Sequence, residues 1–258
     1  MHLKQSVCIP MLKPATIPLE EFVERVVEIG FPAVEIWTRD DDFEKLLSLT
    51  QKYGLVMASM IGHNLGSGGL NDLSQHDLIE HDLRESIDIA ADCSIPGLIC
   101  FSGNRSPGLS EHQGITNTVI GLRRIAPYAE RKGVNLNLEL LNSKVDHLGY
   151  QCDHMSWGRE VVEKVNSPRV KLLFDIYHMQ IMEGDIIRTV RDNIGWIGHF
   201  HTAGVPGRHE IDENQELNYS PIARAIAATS YELYIGHEFC PLGDVYTGLE
   251  QAFHLCDY

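Results

Sequence analysis

Four apolar runs in the second half of the chain end in residues that could share one chemistry. VNLNLELL carries Glu139, VKLLFDIY carries Asp175, WIGHFHT carries His199 and His201, and LYIGHEF carries Glu238. A β-strand alternates its side chains between two faces. In the first run Asn135, Asn137 and Glu139 share one face, and Leu136, Leu138 and Leu140 share the other. The leucines suit packing under a covering layer, so the polar set belongs to the opposite face. The same phase sets Leu173 and Asp175 opposite Leu172 and Phe174, His199 and His201 around Phe200, and Gly236 and Glu238 opposite His237. Neighbouring strands in this phase would gather Glu139, Asp175, His201 and Glu238 at one end. Three carboxylates so placed repel one another unless a proton or a cation intervenes. Three oxygens and one imidazole suit a divalent ion such as Mn2+, Mg2+ or Co2+. The lack of a thiolate argues against structural zinc. His201 is the expected nitrogen ligand. His199, one layer deeper, is expected to support a neighbour by hydrogen bonding. Each residue alone has a plainer reading, as a helix cap or a satisfied core group. Four of them in phase on successive strands favour the metal site.

Something must hold these ends together. Strand-like runs recur about eight times, as QSVCI, AVEIW, LVMASMI and GLICFS before the four above. Amphipathic stretches such as LEEFVERVVEIG, HDLRESIDIAADC, TVIGLRRIAPYAERKG and YSPIARAIAATS alternate with them. Gly30, Gly54 and Gly133 stand where helices should stop. This alternation implies parallel strands with crossover helices. Eight units in 258 residues predict a closed (β/α)8 TIM barrel, a single domain over 1–258. An open doubly wound sheet is the alternative, but the first strand lacks a glycine-rich phosphate loop.

Composition narrows the partners. With 43% apolar and 22% charged residues the chain suits a soluble globular protein. No apolar run approaches the roughly 20 residues of a membrane span. The N-terminal MHLKQSVCIPMLKP lacks a signal-peptide core. The 6 cysteines include no CxxC pair and read as reduced thiols of a cytoplasmic protein. A formal charge of -15 disfavours nucleic acid. Glu35, in phase on the second strand, is expected to reach the mouth, with Trp37 and His63 walling the pocket. The glycine-rich HNLGSGGLND, residues 63–72, lacks a P-loop lysine and reads as a lid. Trp157 and Trp196 read as packing residues.

These stretches resemble the xylose-isomerase-like TIM barrels, most closely the hydroxypyruvate isomerase group of sugar isomerases and epimerases. The resemblance spans nearly the whole chain and is strongest in LELLNSKVDHLGYQCDH, KLLFDIYHMQIMEGD and HFHTAGVPGRHEID. The pairing of DxYH with a later PGRHE is specific to this group. It implies one divalent metal held by Glu139, Asp175, His201 and Glu238. It also implies that Glu139 and Glu238 move a proton between adjacent carbons, and that His178 and Arg208 hold substrate oxygens. Three positions depart from family patterns: Leu140 follows Glu139 where proline is common, His201 stands where some hydroxypyruvate isomerases have glutamine, and Val145 stands where epimerases have a substrate-binding glutamate.

The implied activity is that of an intramolecular oxidoreductase working through a cis-enediolate on a small hydroxy-carbonyl compound of the hydroxypyruvate or tartronate semialdehyde type. A ketose 3-epimerase, or a lyase or dehydratase using the same enediolate, is the alternative. Apurinic-site endonucleases share the barrel, but they need more metal ligands and a basic face. A silent sugar-binding barrel would not need Glu139 and Glu238. Arg208 suits a substrate carboxylate, since its fork engages two oxygens. FCPLGDVYTG after the last strand places Asp244 where a phosphate would bind, which favours an unphosphorylated substrate. A homo-oligomer is compatible with all of this.

Overall fold

Each strand feeds a helix that lies back across it, and the pattern closes on itself. The computed structural model describes residues 2–64 and 68–258. The lid expected at residues 63–72 falls partly on 65–67, outside the described residues. The first half of the chain runs β1 Lys4–Cys8, α1 Ile9–Leu12, α2 Leu19–Ile29, β2 Ala33–Glu35, α3 Phe43–Tyr53, β3 Val56–Ile61, α4 His76–Asp92, β4 Gly97–Cys100 and α5 Glu111–Lys132. The second half runs β5 Asn135–Leu140, α6 Met155–Val165, β6 Val170–Asp175, α7 Ile176–Met182, α8 Ile186–Asn193, β7 Ile197–Thr202, α9 Tyr219–Ala227, β8 Tyr234–His237 and α10 Val245–Cys256. Neighbouring strands pair in parallel and β1 pairs with β8, giving the closed (β/α)8 barrel. Gly30, Gly54 and Gly133 end α2, α3 and α5 in the left-handed conformation, as the sequence reading expects.

The two faces of the strands sort as expected. Gly158 on α6 brings its backbone against Leu140 and Leu172, so these leucines point outward under the helices. Phe174 and Phe200 meet with ring centroids 6.0 Å apart, and Phe200 meets Tyr231 at 5.0 Å. Each such buried side chain contributes about 1.5–3 kcal/mol. Inside, small residues make room for polar ones. A Cβ at Gly198 would lie 2.2 Å from Asn137 Oδ1, and one at Gly236 would lie 2.2 Å from Glu35 Oε1.

Two boundaries differ from the sequence reading. The run VKLLFDIY, read as strand-like through Tyr177, ends as a strand at Asp175, and the chain passes directly into α7. Asp175 causes this: its Oδ1 accepts hydrogen bonds from the backbone N of Tyr177 at 2.8 Å and of His178 at 3.3 Å, capping the helix. Glu238 lies one residue beyond β8 and stays aligned because its N–H donates to Thr202 O at 3.1 Å. All 6 cysteines are free. No helix among the described residues is long and apolar enough to cross a membrane. Trp157 is buried, and Trp196 packs partly buried against the core.

Candidate metal and substrate site

The register sets the site. Asp175 on β6 lies level with His201 on β7, and His201 lies level with Gly236 on β8. Glu139, Asp175, His201 and Glu238 are all buried, and one ligand atom from each falls within 4.8 Å of the others. His201 Nδ1 stands 3.2 Å from Glu238 Oε2 and 3.6 Å from Glu139 Oε1, without a hydrogen-bond partner among the described residues. Ligands about 2.1 Å from a hard divalent ion sit roughly 3 Å apart when adjacent and 4.2 Å when opposed. The four donors would draw in only slightly to reach that spacing, and the partnerless Nδ1 already faces the middle. The donor set therefore fits such an ion.

A second acid fixes the histidine. Glu35 Oε2 accepts from His201 Nε2 at 3.0 Å, Glu35 Oε1 accepts from His199 Nε2 at 3.0 Å, and Ser6 Oγ also donates to Oε1. With its proton engaged at Nε2, neutral His201 presents the Nδ1 lone pair to the site. This carboxylate–histidine pairing is the usual support of a metal-bound imidazole. Glu35 thus lies beneath the mouth rather than in it, because three donors hold it there. His199 plays the supporting role read from its depth. The trio Glu35, His199 and His201 is also close enough to hold a cation, but its contacts have hydrogen-bond lengths and leave Glu35 satisfied.

Charges converge from above. Arg208 Nη2 pairs with Glu238 Oε2 and lies 3.8 Å from Asp175 Oδ2. Trp37 Nε1 donates to Glu238 Oε1 at 2.9 Å. Burial alone would raise Glu238, but His201 and Arg208 outweigh it and hold the carboxyl well below its ordinary range. Burial wins at Asp175, which is pushed up to about 7 against the pull of Arg208 and His201. The two acids differ because the guanidinium sits directly on Glu238 and farther from Asp175. Burial works against charge on His201, yet Glu238, Glu139 and Glu35 raise it well above its ordinary value. Without a cation in their midst, these acids favour a proton on the imidazole. His178 on α7 is fully buried and held neutral, chiefly by burial and then by Arg208 and His147.

The structure brings together all six residues that the sequence reading assigned to catalysis, substrate and metal. Trp37 and His63 line a cleft of about 580 Å³ beside the cluster. Sequence reasoning missed the Trp37–Glu238 contact, the Glu35 support and the contacts of His178. A signal for Glu35 existed: two histidines at alternate positions on one strand need a shared acceptor, and an inward acid beside Gly236 can supply it.

The loop after β7 is fastened to the loop after β8. Cys240 N donates to Arg208 O at 2.6 Å, His209 Nδ1 meets Cys240 O at 2.9 Å, and Glu210 Oε1 accepts from the backbone N of Leu242 at 2.8 Å and of Gly243 at 3.0 Å. Asp244 caps α10 through Thr247 N at 2.8 Å.

Comparison with known proteins adds kinship. The family description "Xylose isomerase-like TIM barrel" matches residues 23–252. A protein from Danio rerio named "Putative hydroxypyruvate isomerase" is 29% identical over 249 residues, covering 90% of this chain and 89% of its own. A 2-oxo-tetronate isomerase of Pectobacterium atrosepticum is 27% identical over 243 residues, covering 92% of each. Both are isomerases by name. A solved structure described as an AP endonuclease, family 2, from Brucella melitensis has a TM-score of 0.83 at 25% identity over 100% of both chains. The match runs from the second helix to the last and takes in every strand end that carries an acid or imidazole of the cluster, so the chain belongs to the xylose isomerase-like TIM barrel family.

Proposed function

We propose that the protein isomerises a small, unphosphorylated 2-hydroxy-carbonyl acid of the hydroxypyruvate and tartronate semialdehyde type through a cis-enediolate. The observation that carries this reading is the meeting of two glutamates from separate strands with one partnerless imidazole nitrogen and one arginine. The names of the curated relatives point to the same substrate class.

Glu139, Asp175, His201 and Glu238 would hold a divalent metal, with Mn2+ or Mg2+ best suited and Co2+ also suited. Such an ion would polarise a bound carbonyl and acidify the neighbouring C–H. Arg208, now paired with Glu238, would turn to the substrate carboxylate. That exchange frees Glu238 as the substrate arrives, while Trp37 keeps the carboxylate oriented. One glutamate removes a proton from C3 of hydroxypyruvate, and the C–H electron pair becomes the C=C bond of the enediolate. A glutamate then delivers a proton to C2, and the hydroxyl proton passes to the former carbonyl oxygen. His178 Nε2 faces that exchange as a fixed polar group. Glu210 and Asp244 already occupy backbone donors after β8 that a phosphate would need, which supports an unphosphorylated substrate.

Proton NMR in D2O with Mg2+-loaded protein tests the reading. Hydroxypyruvate should lose its C3 proton signal and yield an aldehyde product. Exchange with a neutral ketose and inversion at C3 would instead make the protein an epimerase, a class that shares this fold. Loss of a leaving group would make it a lyase. Preference for a sugar phosphate would overturn the substrate class.

A further inference from the structure

The side-chain amide of Asn142, two residues beyond β5, can be oriented without ambiguity. Its Oδ1 lies 3.0 Å from the backbone N of Val145 and 3.0 Å from the backbone N of Asp146. Both are obligatory donors, so the atom facing them is an acceptor. The Nδ2 group therefore points the other way. There it meets Asp146 Oδ2 at 2.5 Å and His178 Nδ1 at 2.6 Å. Its two protons serve these two acceptors. Asp146 is held in place from a second side, because Tyr177 OH donates to Oδ2 at 2.8 Å.

The consequence passes to the histidine. A ring nitrogen facing an amide N–H must offer its lone pair, so the single proton of neutral His178 sits on Nε2. Nε2 is buried, has no hydrogen-bond partner among the described residues and stands 3.5 Å from Asp175 Oδ2, on the side of the ring that faces the acid cluster. A flipped ring, or one carrying both protons, would set N–H against N–H at 2.6 Å.

We propose that Asn142 is a positioning residue, which locks His178 in the tautomer that presents Nε2–H to a substrate oxygen. The proposal rests on the reading of His178 as a substrate-binding group. The lock makes His178 a permanent donor that neither takes up nor gives away a proton during turnover. A donor fixed before the reaction stabilises negative charge developing on an oxygen without reorganising. Asn142 acts entirely through His178.

The tautomer can be read directly by long-range 1H–15N NMR of the histidine rings in metal-free, substrate-free protein. The wild-type spectrum should show the His178 proton on Nε2. Asn142→Asp, made together with Asp146→Asn so that no second carboxylate lies 2.5 Å from the new one, keeps an acceptor for both backbone amides and replaces the donor facing Nδ1 with a carboxylate oxygen. The proton should then move to Nδ1. With hydroxypyruvate, kcat should fall about 100-fold, as when a preorganised donor is removed, while Mn2+ affinity measured by calorimetry stays the same. A wild-type proton on Nδ1 overturns the lock whatever the variant does. A double-variant protein with an unchanged tautomer and unchanged kcat overturns it too. An inactive wild-type protein with the proton on Nε2 would instead sink the proposed reaction and leave the lock standing.

Discussion

Replacing Asp175 with asparagine separates the electrostatic demands of the site from those of the fold. Burial pushes the folded carboxyl up to about 7 from an ordinary value of 3.8. Above the folded value the metal-free protein carries a buried carboxylate that unfolding would relieve. The difference amounts to roughly 4 kcal/mol when ionisation is complete. The sign follows from which state holds the proton longer. Because the folded value is raised, the stabilising share is fully present below 3.8 and is lost as pH rises through about 7. Asparagine has no such proton and remains a good helix N-cap, so the start of α7 is preserved. In chelator at about pH 8, Asp175→Asn should therefore unfold later than wild type, by up to roughly 10 °C for a chain of this size. At about pH 4 the advantage should vanish. Mn2+ at a thousandfold excess over Kd adds about 4.1 kcal/mol to the wild type, which should erase the variant's lead at the higher pH. The variant has lost one donor and should gain little. Calorimetric melting at both pH values, with chelator and with Mn2+, reads all four conditions. A variant less stable than wild type at the higher pH in chelator would refute the argument, as would one with the wild-type pH slope.

Glu35→Gln should weaken Mn2+ binding by about 10- to 100-fold in calorimetric titration, because one acceptor oxygen is left for the three donors that now share two; unchanged affinity would remove Glu35 from the site. Gly236→Ala should cost about 1–3 kcal/mol in urea unfolding, since the new Cβ would fall 2.2 Å from Glu35 Oε1, which Ser6 and His199 hold; an unperturbed midpoint would show that Glu35 can move aside. Arg208→Ala should raise KM for hydroxypyruvate by roughly 10- to 100-fold, the range of a charged hydrogen bond, and leave a neutral ketose nearly unaffected; equal losses on both would show that Arg208 does not read a carboxylate.

What the sequence made legible is local. Alternation within a strand placed Glu139, Asp175, His201 and Glu238 on inward faces, and glycine placed the ends of three helices. Both follow from backbone geometry over a few residues. The supports of the site are of another kind. Trp37 meets Glu238 across 201 residues, and Glu35 meets His201 across 166. Only closure of the barrel brings these pairs together, and no periodicity within either strand encodes it. The start of α7 straight after β6 was also out of reach. Asp175 was read for one task and performs two, with Oδ1 capping a helix and Oδ2 facing the cluster.

The lacing of the loops after β7 and β8 bears on how specificity could be redesigned. Arg208 and Glu238 belong to different loops, yet the backbone of each loop is a hydrogen-bond partner of the other at Cys240, and Glu210 fastens the residues that follow. A β7 loop grafted alone from a relative without the PGRHE motif would leave the amides of Leu242 and Gly243 without their carboxylate. The two segments, residues 203–218 and 238–244, form a single cassette that has to be exchanged whole.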